Sequence, residues 1–237
     1  MPNQSVAVVT GANRGLGLET CRQLAISGRH VLLTARDKEA GQAASHTLHE
    51  EGLDVSFHPL DVTNTTSIET LTHYLREQQL NVEILINNAG IFPDPSPADG
   101  QSSIFEANPD TVMEGFATNT LGPLRLCQAL IPLMSEGGCV VNVSSGMGQL
   151  NEMNGCCPAY RLSKTALNAV TRILADELQE TRIKVNSVCP GWVRTAMGGE
   201  EATLSIPEGV KGILWAATLP EDGPSGGFFR HGERIEW

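Results

Sequence analysis

Tyr160 and Lys164 stand four residues apart, a spacing that sets a phenol beside an ammonium on one helix face, with Cβ atoms about 5–6 Å apart. A neighbouring positive charge favours phenolate and lowers a tyrosine's pKa. Tyr160 is therefore expected to act as an acid and base near neutral pH. Such a pair also arises by chance on helix surfaces, so its meaning depends on its surroundings. Three other stretches carry chemistry. Gly11-Ala12-Asn13-Arg14-Gly15-Leu16-Gly17 is a glycine loop suited to phosphate, Asn87-Asn88-Ala89-Gly90 closes an apolar run, and Ser144-Ser145 closes another.

The glycine loop has the flanks that make it informative. Ser5 to Thr10 reads as a buried parallel strand, and Leu18, Cys21, Leu24 and Ala25 recur at helical spacing after the loop, up to Gly28. Gly11 allows a tight turn. Gly15 and Gly17 let backbone and helix approach a pyrophosphate, which the helix N-terminus attracts. The second strand, His30 to Ala35, ends at Arg36 and Asp37. An acidic residue near this point would serve an adenosine ribose. Here Arg36, with Arg14 opposite, favours a 2′-phosphate and so NADP(H), with Asp37 on the ribose as the rival reading. Asp61 is placed to meet the adenine amino group.

The remaining elements follow from periodicity. A helix is expected over roughly Asp37–Glu51, and Thr66-Ser67-Ile68-Glu69 reads as a capping box opening the next. A fourth strand spans Val82 to Ile86. Ile91 to Asn108 is a long Pro- and Ser-rich loop, either overhanging a cleft or simply solvated. A long helix is expected over roughly Pro109–Ser135, kinked near Asn119–Pro123 by the internal Pro123. Asn119 in that helix is a costly buried amide unless it finds a partner or water. Strands at Cys139–Val143 and Ile183–Val188 flank the helix of Tyr160, and Phe228-Phe229 reads as a seventh strand. The pattern predicts one α/β domain over residues 1–237: a Rossmann-type, doubly wound parallel sheet of about seven strands.

Composition sets outer bounds. The 237 residues carry a net charge of −11, against the clustered positive surface that nucleic acid requires. No apolar run is long enough to cross a membrane, and no leader pattern precedes the first strand. Six cysteines lack metal-ligand spacing, so no metal is expected, and reduced thiols in a cytoplasmic protein are the default, Cys156-Cys157 included. His46 and His49 read as solvated.

Taken together, Thr10 to Gly17, Asn87 to Gly90, Asn119, Val143-Ser144-Ser145, Tyr160-x-x-x-Lys164 and Pro190-Gly191 resemble the short-chain dehydrogenase/reductase family over nearly the whole chain. Within it, Thr34-Ala35-Arg36-Asp37, Pro190-Gly191-Trp192-Val193 and Arg234-Ile235-Glu236-Trp237 look like the carbonyl reductase group. The resemblance implies a tetrad. Tyr160 donates a proton to a carbonyl, Lys164 holds the nicotinamide ribose, Ser145 holds the substrate oxygen, and Asn119 keeps a relay water near Lys164. It implies cofactor contacts at Gly11, Asn13, Arg14, Gly15, Leu16, Gly17, Arg36, Asp61, Val62, Asn88, Ala89, Gly90, Tyr160, Lys164, Pro190, Gly191, Val193 and Thr195. The implied activity is NADPH-dependent reduction of ketones, aldehydes or quinones. A silent NADP-binding scaffold is the alternative, against which every tetrad position is filled. Only fourteen residues separate Ser145 from Tyr160, shorter than in monomeric animal carbonyl reductases. A homo-oligomer, pairing through helices that start near Asn108 and Tyr160, is therefore expected. Phe92, Met147, Leu150, Met153, Trp192 and Met197 imply an apolar pocket for aryl or hydrophobic carbonyls.

Overall fold

In the computed structural model, which describes residues 4–95 and 103–237, the strands form one eight-stranded sheet. The chain order is β1 (Gln4–Val9), α1 (Gly15–Ile26), β2 (His30–Ala35), α2 (Lys38–Glu50), β3 (Val55–Pro59), α3 (Thr65–Glu77) and β4 (Leu80–Asn87). It continues through α4 (Pro109–Phe116), a π-helical turn (Ala117–Leu121), α5 (Gly122–Leu130), β5 (Met134–Val143), α6 (Pro158–Glu177), β6 (Lys184–Cys189), α7 (Ile206–Ala217), β7 (Phe228–Arg230) and β8 (Glu233–Arg234).

The sheet runs β3-β2-β1-β4-β5-β6-β7-β8, parallel throughout except for the last pair. Side chains alternate between two cores, as a pleated strand requires. Ala7, Val9, Val31 and Leu33 face a cluster with Leu24, Leu48 and Ile213 of α1, α2 and α7. Val6, Val8 and Leu32 face the other, with Leu71 of α3 and Leu126 and Leu130 of α5. The chain winds outward from β1 to β3, then returns to β4 on the other side of β1. Loops leaving β1 and β4 therefore part at a topological switch point, opening a crevice at the strand carboxyl ends.

Three local expectations are corrected. Helix α3 is capped by Asn64, whose side chain accepts the Ser67 N–H, so it opens ahead of the Thr66–Glu69 box. The long helix does not reach Ser135: it ends by Leu133, and β5 starts at Met134 rather than Cys139. Around Pro123 there is no simple kink but a π turn, closed by the Gly122 N–H on the Ala117 carbonyl. Proline has no N–H for the carbonyl of Asn119, and an extra residue in the turn absorbs the break. An eighth strand of two residues, β8, was too short to leave a periodic signal. Part of the Ile91–Asn108 loop, residues 96–102, lies outside the described residues.

A buried polar chain crosses the sheet beneath the crevice. Asn87 Nδ2 donates to Asn142 Oδ1 at 2.8 Å, Asn142 Nδ2 to Thr171 Oγ1 at 2.8 Å, and the Thr171 and Ser187 hydroxyls pair at 2.8 Å. It links β4, β5, α6 and β6. Asn142→Ala is expected to remove one hydrogen bond each from Asn87 and Thr171 and to lower the unfolding free energy by about 1–3 kcal/mol. Chemical denaturation would measure this, and an unchanged midpoint would remove the network from the fold's energetics.

Candidate active site

Lys164 anchors the site from below. The residue is only 4% exposed, and its ammonium donates at 2.8 Å to the carbonyl of Val143, the last residue of β5. Tyr160, one turn earlier on α6 and 8% exposed, puts its ring 5.7 Å from Lys164 Nζ and 4.7 Å from the Phe92 ring. Ser145, just beyond the end of β5, hydrogen-bonds the phenol, while Ser144 turns away to donate to Asn168 Oδ1 at 2.7 Å. The i to i+4 pairing thus holds, but its expected electrostatic consequence does not. Burial pushes the Tyr160 phenol up to about 12, which the Ser145 hydrogen bond opposes in part. Burial also pushes Lys164 down to about 8. Desolvation is the largest effect on each group, so Tyr160 carries its proton at neutral pH.

Asn119 stands behind this pair, fully buried in the π turn. Its Oδ1 accepts the Ile91 N–H at 2.9 Å, and its Nδ2 donates to the Ile91 carbonyl at 2.9 Å and to Ser163 Oγ at 3.0 Å. The buried-amide problem is solved by protein groups. Asn119 ties the loop after β4 to α6. A Cβ added to Gly90 would lie 3.2 Å from Asn119 Oδ1 and 3.5 Å from Lys164 Nζ, so both side chains face that glycine.

A cleft of about 1310 Å³ opens over these residues at the strand carboxyl ends. Gly11, Asn13, Arg14, Gly15 and Leu16 form one end of it, with Arg36, Asp61 and Val62 beside them. Asn88, Ala89 and Gly90 also line it, as do Ser145, Tyr160, Lys164, Pro190 and Gly191, while Val193 and Thr195 come back beside Leu16 and Gly15. Of the predicted catalytic and cofactor-binding residues, two do not line it: Asn119, and Gly17, which is buried against the Gly11–Ala12 backbone and Asn88. A Cβ at Gly17 would come within 2.6 Å of Asn88 Nδ2 and 2.7 Å of the Gly11 carbonyl. Its role is to let α1 dock on the loop.

This cleft fits a dinucleotide phosphate. Gly11 has φ +61°, and a Cβ there would meet the Ala89 backbone at 2.8 Å, so the loop closes only on glycine. Helix α1 begins with no side-chain cap and no acidic residue in its first turn, leaving its positive end open to an anion. Arg14 and Arg36 are exposed on the cleft rim, and neither makes an ion pair among the described residues. Asp37, the rival for the ribose, also lines the cleft, and its Oδ1 caps α2 by accepting the Ala40 N–H at 3.0 Å.

Sequence reasoning missed two polar residues here. Asp94, 8% exposed, accepts the Ala159 N–H on Oδ1 at 3.0 Å and the Tyr160 N–H on Oδ2 at 2.7 Å. It fixes the first turn of α6 from a loop 66 residues away. Arg230, at the end of β7, and its neighbour His231 line the cleft beyond Ser145. Neither Asp94 nor Arg230 sits in a motif. Of the predicted pocket residues, Phe92, Met147, Trp192 and Met197 line the cleft, while Leu150 and Met153 do not.

Residues 5–204 match the family described as short chain dehydrogenase. The chain is 36% identical to (+)-neomenthol dehydrogenase of Arabidopsis thaliana, covering 94% of this chain and 95% of that one. It is 34% identical to carbonyl reductase [NADPH] 1 of Homo sapiens, covering 98% of each. Among solved structures, NADPH-bound carbonyl reductase from chicken fatty liver superposes with a TM-score of 0.85 at 30% identity, over the whole of both chains. Glycine loop, Asn-Asn-Ala-Gly turn, Ser145 and the Tyr160–Lys164 pair occur together on a doubly wound sheet, and the chain belongs to the short-chain dehydrogenase family.

Proposed function

We propose that the protein is an NADPH-dependent reductase of ketone, aldehyde or quinone carbonyls, with Tyr160 as proton donor. The observation that carries this reading is the meeting of Ser145, Tyr160 and Lys164 on the floor of a cleft whose other end is a glycine loop flanked by two arginines. The NADPH-bound carbonyl reductase relative supports the cofactor. Bound in the cleft, NADPH would supply hydride to the carbonyl carbon. Gly11, Gly15 and the α1 N-terminus would hold its pyrophosphate, Arg14 and Arg36 its 2′-phosphate, and Lys164 its nicotinamide ribose.

The chain's own groups account for the rest. Ser145 Oγ and the Tyr160 hydroxyl converge on one place, where a carbonyl oxygen would receive two hydrogen bonds. With its pKa raised to about 12, the phenol holds a proton at pH 7 and can give it to an oxygen that gains charge as hydride arrives. The raised value favours the reductive direction: donation becomes easy only once the acceptor is a nascent alkoxide. Lys164, brought down to about 8 by burial, sits one turn away and is the nearest group able to restore that proton. Asn119 and Asp94 act through position, the first by holding Ile91 against α6 and the second by fixing the Tyr160 backbone.

The substrate end of the cleft is lined by Phe92, Met147, Trp192, Met197 and Leu204, which supports an apolar or aryl body on the carbonyl compound. A homo-oligomer is supported by apolar side chains left in solvent along α4 and α6. Met113 is 60% exposed, and Leu162 and Ile173, eleven residues apart on one face of α6, are 43% and 57% exposed. Six free cysteines fit a reducing, cytoplasmic setting. No helix among the described residues is long and apolar enough to cross a membrane.

Tyr160→Phe is expected to keep NADPH affinity and to lose turnover by about 10²-fold or more. Retained turnover of a ketone panel would dismiss Tyr160 as donor. Arg36→Ala should weaken NADPH binding while sparing NADH, read by fluorescence titration with both nucleotides; equal losses would refute the 2′-phosphate role. Sedimentation of the unaltered protein and of Leu162→Glu with Ile173→Glu should show a dimer or tetramer dissociating to monomer. An unaltered protein already monomeric at micromolar concentration would end the oligomer reading.

A further inference from the structure

The substrate end of the cleft is mostly apolar, with His231 and one permanently charged side chain among its polar groups. Arg230, at the carboxyl end of β7, sends its guanidinium over the Gly146 backbone, one residue past Ser145. A Cβ on Gly146 would meet Arg230 Nη2, so any larger residue there would push the guanidinium aside. The side chain is half-buried and lines the cleft. Its hydrogen bond goes to a neutral group: Nη2 donates to Gln149 Oε1 at 3.2 Å. Its Nε is buried with no hydrogen-bond partner, and no carboxylate pairs with it among the described residues. The parallel partner of Arg230 in β6 is Cys189, another cleft residue, so the sheet fixes the backbone from which the side chain reaches into the cleft.

A strut that only pinned the Gly146–Gln149 turn would not need a permanent charge; an amide or a hydroxyl would bond Gln149 as well. A guanidinium partly withdrawn from water, its Nε fully buried and no counter-ion beside it, is poorly compensated unless something anionic meets it. Its planar fork matches a carboxylate.

We propose that Arg230 is a substrate-anion anchor, and that the enzyme's preferred carbonyl compounds carry a carboxylate close to the reacting carbonyl, as in aryl 2-oxo acids. The proposal rests on the reductase reading above and narrows its substrate class. Ser145 and Tyr160 would hold the ketone oxygen, the apolar wall would hold the aryl group, and Arg230 would take the carboxylate. Binding at three points fixes which face of the carbonyl is presented, so the arginine also determines the handedness of the alcohol formed.

The test compares phenylglyoxylate with its methyl ester, which keeps the ketone and removes the charge. Arg230→Gln is expected to lower kcat/KM for the acid by about 10- to 100-fold while leaving the ester within about twofold. Arg230→Lys should restore part of the acid's loss. With NADP+ present, calorimetric titration of benzoate should show binding to the unaltered protein and its loss in Arg230→Gln, a readout independent of turnover. Equal losses for acid and ester would assign Arg230 a structural role and overturn the proposal alone, as would unchanged rates for both. If the unaltered protein binds NADPH yet reduces neither compound, nor any neutral ketone, the reductase reading falls and this proposal with it.

Discussion

A lysine ammonium held almost entirely out of water, on a single backbone carbonyl, is the constraint from which the rest of this site follows. Lys164 Nζ donates to Val143, the last residue of β5. That bond fixes the distance and rotation of α6 relative to the strand end. Tyr160 lies one turn earlier on the same face and Ser145 two residues beyond the same carbonyl, so one contact sets both hydroxyls. Burial also sets the charges. The same desolvation that lowers the ammonium's pKa raises the phenol's. Moving α6 outward would relax both pKa values and separate Tyr160 from Ser145 together.

Holding α6 there demands unusual geometry at its start. Cys156 and Cys157 both adopt left-handed backbone, with φ +72° and +50°, ahead of Pro158 at the first helical turn. Neither residue is glycine, so the entry is strained by an order of about 1–3 kcal/mol per residue. Asp94 opposes that strain by receiving two first-turn N–H groups, and Arg161 bonds back to the Cys156 carbonyl at 2.9 Å. The turn before the helix therefore stays put only because a distant loop and the helix itself both grip it. The two thiols sit 3.4 Å apart in this turn, and burial pushes the Cys157 thiol up to about 11, which keeps it protonated and unreactive.

What could be read from the sequence follows from how local each signal is. Tyr160 with Lys164, and Gly11 with its flanking strand and helix, are legible because spacing along a helix or past a strand is itself the geometry. The sign of the tyrosine's shift was not legible: it depends on burial by Phe92 and the cleft walls, which the pairwise spacing does not contain. Asp94 and Arg230 reach the site from loops and strands remote in sequence. A buried aspartate that caps a helix 66 residues later looks like any loop acid. Asn142 hides in an apolar strand for the same reason: its partners are Asn87 and Thr171, on a neighbouring strand and a helix. The π turn was announced by Pro123 as a disturbance, but its form depends on how Asn119 must face Ile91 and Ser163.

Charge shows the same division between whole and part. A net charge of −11 argues against a nucleic-acid surface, yet it describes the cleft poorly. Arg14 and Arg36 stand at one end, Lys164 at the middle and Arg230 beyond, with the open N-terminus of α1 among them. Of the carboxylates in the cleft wall, Asp37 caps α2 and Asp61 accepts from both the N–H and hydroxyl of Thr63, so each is partly occupied by its own turn. A line of cations within a negative protein focuses an anion's approach more sharply than a uniformly basic surface would, because the surroundings repel what the groove attracts. The acidic exterior and the basic groove thus act together: the first excludes polyanions too large for the cleft, and the second draws in small phosphates and carboxylates that fit it.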